Sequence, residues 1–319
     1  MSDKNLQKLI VILGVTASGK TDLSIKLARK FNGEIISADS RQIYKEFDIG
    51  TAKTNGRWML TGGKRKFVAG GVVHHLIDIF DPKEDFNLSD YKKLALEKIN
   101  EVVESGKLPF LVGGTALYLK AVLENWNLPK IGPNLALRRK LENKKIENLY
   151  AELQKTDPEA AAITSPANKR RIIRALEVIY GTGKKFSEQR RKGPMLFNSL
   201  KIGITGSKNE LKTKILQRTD QMIKNGLAEE VGRLQKKYLW SLVPMQSIDY
   251  QEFKEYFEGT RGLSKTIALI NQHHLAYAKR QMTWFKKDKD IHWVSPDSKS
   301  TLDQSIALIK NFLAAKQVL

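Results

Sequence analysis

The run Gly14-Val15-Thr16-Ala17-Ser18-Gly19-Lys20-Thr21 fits the spacing G-x-x-x-x-G-K-[ST]. In such a loop the backbone N–H groups wrap a di- or triphosphate, the lysine reaches the outer phosphate and the last hydroxyl reaches Mg²⁺. Two further polar residues fall where strands should end. Asp39 follows the apolar stretch Glu34 to Ser37, and Thr115 follows Pro109 to Val112 through Gly113-Gly114. Open α/β sheets bind ligands at the carboxyl ends of their strands, so both would face whatever the phosphate loop holds. Paired glycines there would let the backbone come close to a ligand. On position alone Asp39 reads equally as a helix cap, while a plain turn is the lesser alternative for Gly113-Gly114.

The elements that must position these residues are legible. Lys8 to Val15 is a short apolar run suited to a buried parallel strand. After Thr21, the residues Leu23, Leu27, Ala28 and Phe31 share one helical face, and Asn32-Gly33 supplies a stop. Phosphate would then sit at a helix N-terminus, where free N–H groups and the dipole favour negative charge. Ser89 to Gly106 reads as a helix, Lys201 to Gly206 as a strand, and Asn209 to Asn225 as a helix carrying Arg218. Ser264 to Lys287 is a long helix, Ile291 to Val294 a last strand and Leu302 to Val318 a closing helix. The pattern predicts a P-loop NTPase-like α/β core, a parallel sheet flanked by helices, built from residues 1–126 and 195–319.

Residues 127–194 break this alternation and predict a helical insertion domain, with Pro129 and Pro133 at its start and Pro194 at its end. Between 128 and 194 there are sixteen Lys and Arg against seven Asp and Glu. A helix opened by Ser165-Pro166 is predicted over 168–180. Ile172, Ile173, Leu176 and Ile179 lie on one side of it, and Arg170, Arg171 and Arg174 on the other. Few acids interleave, which favours contact with a phosphate backbone over a merely solvated face. From Thr51 to Val73 the pattern loosens under five glycines. Lys66 to Val68 and Val72-Val73 could pair as a hairpin, and Lys53, Arg57, Lys64, Arg65 and Lys66 make the stretch basic. It reads equally as a nucleic-acid flap and as a solvated loop. His74-His75 has no third metal ligand at useful spacing. Leu76 to Asp81 superficially resembles the strand-plus-aspartate that holds Mg²⁺ in ATPases.

The whole chain of 319 residues carries a net charge of +21, more than a small phosphorylated substrate needs and suited to a polyanionic partner. It has no cysteine, which excludes disulfides and thiolate metal sites. No apolar run approaches membrane-spanning length and Met1 to Asn5 shows no apolar leader, so a cytoplasmic protein without a membrane partner is expected. Ala278 to Phe285 mixes basic and aromatic side chains, a combination suited to a nucleic-acid face.

Several of these stretches together resemble the tRNA isopentenyltransferase family: the phosphate loop, Ser37 to Tyr44, Asp48 to Lys53, His74 to Asp78, Gly113 to Thr115, Arg171 to Val178 and Ala278 to Phe285. The resemblance runs from about Leu9 to Val294. It implies an enzyme that moves a dimethylallyl group from dimethylallyl diphosphate to the exocyclic amine of the adenosine just 3′ of a tRNA anticodon, with Mg²⁺; a monomer is expected. By motif, Gly14, Thr16, Ala17, Ser18, Gly19, Lys20 and Thr21 would hold the diphosphate, with Thr21 on the Mg²⁺. Asp39 would be the general base, Thr115 would hydrogen-bond the amine, and Arg218 would neutralise the leaving group with Lys20. Asp39, Ser40, Arg41, Gln42, Arg138, Arg170, Arg171, Arg174, Lys279, Arg280 and Gln281 would meet the tRNA, the insertion gripping its anticodon stem-loop.

The chain departs from the family pattern in places. Val15 replaces a usual proline, the stretch near 55–71 is longer, Asp249 stands where the family has glycine, and Leu275 where it has arginine. Two rival readings share some of these features. A small-molecule or nucleoside kinase also pairs a phosphate loop with a strand-end aspartate, but has little use for the basic insertion. An RNA-binding protein with a relic loop would not need Asp39, Thr115 and Arg218 together.

Overall fold

The computed structural model describes residues 6–129, 131–132, 134–188, 192–296 and 298–315. Pro133 and residues 316–318 of the expected closing helix lie outside them, as do Met1 to Asn5. Among the described residues the strands are β1 (Gln7–Gly14), β2 (Gly33–Ser37), β3 (Gly56–Thr61), β4 (Lys64–Ala69), β5 (Val72–His75), β6 (Leu108–Gly113), β7 (Phe197–Ile204) and β8 (Ile291–Val294). They form one sheet in the order β3-β4-β5-β2-β6-β1-β7-β8. From β5 to β8 every pairing is parallel, whereas β4 is antiparallel to both its neighbours. The parallel strands read as continuous apolar runs because both faces are covered. Ile10, Ile12, Phe110, Val112, Ile202 and Ile204 pack with Leu23, Leu27 and Ala28 of the helix Lys20–Lys30 into one core.

The chain divides into two compact units, one of residues 1–86, 93–119 and 196–319, the other of 87–92 and 120–195. The second has its own core of Leu141, Leu149, Leu153, Ile172, Ile173 and Leu176. The helix Lys169–Thr182 begins one residue later than the sequence suggests. Asn168, not Ser165, caps it by accepting from the Arg171 N–H, and Gly183 ends it.

The stretch 51–73 is more ordered than its glycines suggest. Besides the expected β4–β5 hairpin, β3 pairs with β4 over their whole length. Gly62-Gly63 and Gly70-Gly71 are two-residue turns with φ of +59° and +73°, and +56° and +75°. Consecutive positive φ values are what a tight hairpin with native twist requires, so these glycines join strands instead of interrupting them. Leu76 to Asp81 forms no strand. Asp78 is engaged by Lys53 Nζ at 2.8 Å and by Trp58 Nε1 at 2.9 Å, so the ATPase-like reading fails there.

Candidate active site

β1 delivers Gly14 to the carboxyl edge of the sheet, and the loop after it turns through Ala17 and Gly19, both at positive φ, into the helix Lys20–Lys30. Two long-range clamps shape this loop. The Thr16 N–H donates to Gln281 Oε1 at 2.8 Å, while Gln281 Nε2 donates to the Gly114 carbonyl at 2.8 Å. Arg218 Nη1 donates to Thr16 Oγ1 at 2.7 Å. Lys20 Nζ donates to the Val15 carbonyl at 3.0 Å, folded back over the loop. Desolvation pushes Lys20 down to about 8; the charge of Asp39 opposes this shift, and that of Arg218 adds to it. Among the described residues Ser18 Oγ and Arg218 Nε are both buried without a hydrogen-bond partner. Buried polar atoms are nearly always satisfied, so a hydroxyl and a guanidinium N–H with donors to spare on two residues that line one cleft suit an anionic ligand.

Asp39, Ser40, Arg41 and Gln42 follow β2 and line the same cleft of about 950 Å³, with Thr16 to Asp22, Gly113, Gly114, Arg218, Tyr277, Arg280 and Gln281. Asp39 Oδ1 accepts from the Arg41 N–H at 2.8 Å and from the Gln42 N–H at 3.3 Å. The cap-like bonds are therefore present, and they use one oxygen of the two. Thr115 Oγ1 accepts from the Ser40 N–H at 3.3 Å. Gly113 serves packing: a Cβ there would stand 2.1 Å from the Ala38 carbonyl oxygen. At Gly114 a Cβ would meet Gln281 Nε2 at 2.5 Å, so the second glycine makes room for the clamp, not for a ligand.

The remaining predicted residues are placed unevenly. Gln281 is buried, with both ends of its amide used inside the protein, which gives it a framing role where a tRNA contact was expected. Arg41 Nη1 donates to the Val243 carbonyl at 2.6 Å, and Gln42 Nε2 to the Thr51 and Ala52 carbonyls. Lys279 and Arg280 are exposed, and Arg280 lies 5.8 Å over the Tyr277 ring. In the second unit Arg170 is exposed, but Arg138 and Arg174 both bind Glu177, with contacts of 2.6 to 3.0 Å. Burial alone would raise the Glu177 carboxyl, and these arginines hold it below its ordinary value.

Sequence reasoning missed three contributors. Tyr277 lines the cleft, interacts with Thr115 and is pushed up to about 12 by burial and by the charge of Asp39. His274 and Asp249, also in the cleft wall, form a buried pair beneath Arg218. Arg218 Nη2 is 3.3 Å from both ring nitrogens of His274. Equal distances cannot be met in the ring plane without Cε1 colliding, so Nη2 lies over the imidazole face. The helical spacing of 274, 277 and 281 on Leu263–Phe285 was the available signal.

The family model for IPP transferase matches residues 42–288. The chain belongs to the IPP transferase family. Among its relatives, a tRNA dimethylallyltransferase of Roseiflexus sp. (strain RS-1) is 43% identical over 96% of this chain and 99% of its own. One from Bacillus subtilis (strain 168) is 41% identical over 90% of each chain. The crystal structure of the full-length tRNA isopentenylpyrophosphate transferase of Bacillus halodurans matches with a TM-score of 0.70 at 38% identity, covering 96% of this chain and 97% of that one. A eukaryotic dimethylallyltransferase seen acting on tRNA matches with a TM-score of 0.79 at 27% identity, covering 96% and 79%.

Proposed function

We propose that this protein moves a dimethylallyl group from dimethylallyl diphosphate to the exocyclic amine of the adenosine immediately 3′ of the anticodon in tRNA. The observation that carries the reading is one cleft holding both a carboxylate, Asp39, and an anion cradle of Lys20, Ser18 and Arg218 with unspent donors. The amine nitrogen forms its bond to the prenyl carbon as the carbon–oxygen bond to diphosphate breaks. Asp39 accepts the proton that the amine sheds, which matters because the lone pair of an adenine amine is shared with the ring. Thr115 holds the amine in line, and Lys20, Arg218, the Ser18 hydroxyl and the loop amides meet the charge that gathers on the leaving diphosphate. Arg170 and its neighbours in the second unit bind the anticodon stem-loop backbone, which offsets the cost of unstacking the target base.

Mg²⁺ belongs to the same reading. Among the described residues no group of three or more His, Cys, Asp or Glu is gathered for a metal. Thr21, exposed at the first helical turn and lining the cleft, would offer it a hydroxyl, and the ion would neutralise part of the diphosphate charge. Among the described residues no helix is long and apolar enough to cross a membrane. Action as a monomer in the cytoplasm completes the proposal.

Incubation with labelled dimethylallyl diphosphate, ATP and unmodified tRNA tests it. Label in the tRNA supports the reading; phosphate transfer from ATP to a small molecule, or no transfer at all, overturns it.

A further inference from the structure

The edge hairpin of β3 and β4 has no role in the chemistry above, and its position gives it one. Phe67 pairs with His74, and His74 with Ile35. Carried along the antiparallel β4, this register sets Lys64 level with Ala38 and the Gly62-Gly63 turn level with Asp39. The tip thus runs past the last residue of β5, His75, while the other end of the hairpin, at Asn55 and Gly70, lines the cleft. In the strand order β4 is four places from β1, about 20 Å to the side of the phosphate loop at ~4.8 Å per strand.

The hairpin's surface matches a polyanion. No acidic residue occurs from Ile49 to Ile77. Lys53 is used by Asp48 and Asp78, and Lys66 lies 3.6 Å from Glu34. Arg57, Lys64 and Arg65 are exposed and enter no ion pair among the described residues; Glu101, already held by Lys98, feels Lys64 only at longer range. Arg65 lies 5.8 Å over the Trp58 ring, which steadies its guanidinium at the surface. Leu60, 76% exposed, sits opposite Arg65 at the tip.

We infer that the Gly56–Ala69 hairpin is an RNA-contact arm, in which Lys64 and Arg65 hold the phosphate backbone of the substrate whose base enters the cleft. The inference rests on the tRNA-modifying reading. It also gives a use to the length by which this stretch exceeds the family pattern.

The absence of cysteine permits a clean test. Thr61→Cys labelled with a benzophenone should crosslink to unmodified tRNA on irradiation, and less so as salt rises. The double variant K64A/R65A should flatten the slope of log affinity against log salt by up to about two phosphate contacts' worth. Its affinity for dimethylallyl diphosphate should match wild type, showing that the cleft is intact. An unchanged slope without an RNA crosslink, while wild type still prenylates tRNA, overturns the arm alone. Crosslinks between two protein chains in place of RNA also overturn it and make the hairpin a protein-docking edge. A wild type that neither binds nor prenylates tRNA removes the functional reading and the arm with it.

Discussion

His274 Nε2 donates to Asp249 Oδ1 at 2.7 Å, both side chains are buried, and the guanidinium of Arg218 rests on the face of the same ring. The carboxylate fixes the imidazole, and the imidazole gives Arg218 a platform from which Nη1 reaches Thr16. An aspartate in place of the family's glycine is thus tied into the anion site. Asp249→Asn keeps an acceptor for His274 but removes the charge, whereas Asp249→Gly removes both. If orientation of Arg218 is what the pair supplies, Asp249→Gly should slow single-turnover transfer about tenfold or more, and Asp249→Asn much less. Equal losses would mean that the charge matters instead, and wild-type rates in both would detach the pair from catalysis.

Asp39→Asn separates the two uses of that residue. The amide oxygen can still accept from the Arg41 and Gln42 N–H groups, so the thermal midpoint should move by no more than about 1 kcal/mol of stability implies. The amide cannot take a proton, so single-turnover transfer should fall roughly 10²- to 10⁴-fold. Rate and midpoint measured on one preparation decide, and near-normal turnover would remove Asp39 from the mechanism.

If Lys20 meets the donor diphosphate as proposed, donor binding should depend on pH. At about 8 its ammonium is charged below that pH and increasingly neutral above it. A diphosphate favours the cation, so binding raises this value and must draw a proton from solution at higher pH. Donor affinity should be level just below pH 8 and weaken above it by at most about tenfold per unit. Lys20→Ala should bind donor weakly and lose this dependence while keeping its tRNA affinity. Titration calorimetry across pH 7 to 9.5 in both proteins is the check.

The arginines of the insertion should divide by their partners. Arg170→Ala with Arg171→Ala should flatten the salt dependence of tRNA binding by up to about two phosphate contacts' worth. Arg174 instead joins Glu177 at 2.6 Å and the Ile131 carbonyl at 2.9 Å. Its change to Ala should cost about 1–3 kcal/mol of stability, because a buried carboxylate loses a charged donor. A salt slope that responds to Arg174 but not to Arg170 and Arg171 would reverse this assignment.

Local signals in the sequence carried the phosphate loop, the strands around it and the helix with Arg218, since each depends on runs and spacings a few residues long. The paired glycines misled because a glycine that ends an element and one that joins two strands look alike until the register of β3, β4 and β5 is known. Gln281 shows the deeper limit. Its neighbours Lys279 and Arg280 made it look like part of a basic surface, yet the helix turns it inward to the phosphate loop. The contact of Arg218 with the face of His274 joins residues 56 apart, and neither carries a mark of it alone.

The clamp from Gln281 to Thr16 spans 265 residues. On the ribosome the phosphate loop emerges early, with its strand and helix, but the amide that fixes it and the glycine carbonyl beside it arrives only when most of the chain has been made. A nascent or prematurely terminated polypeptide therefore carries the diphosphate motif without the part that shapes it.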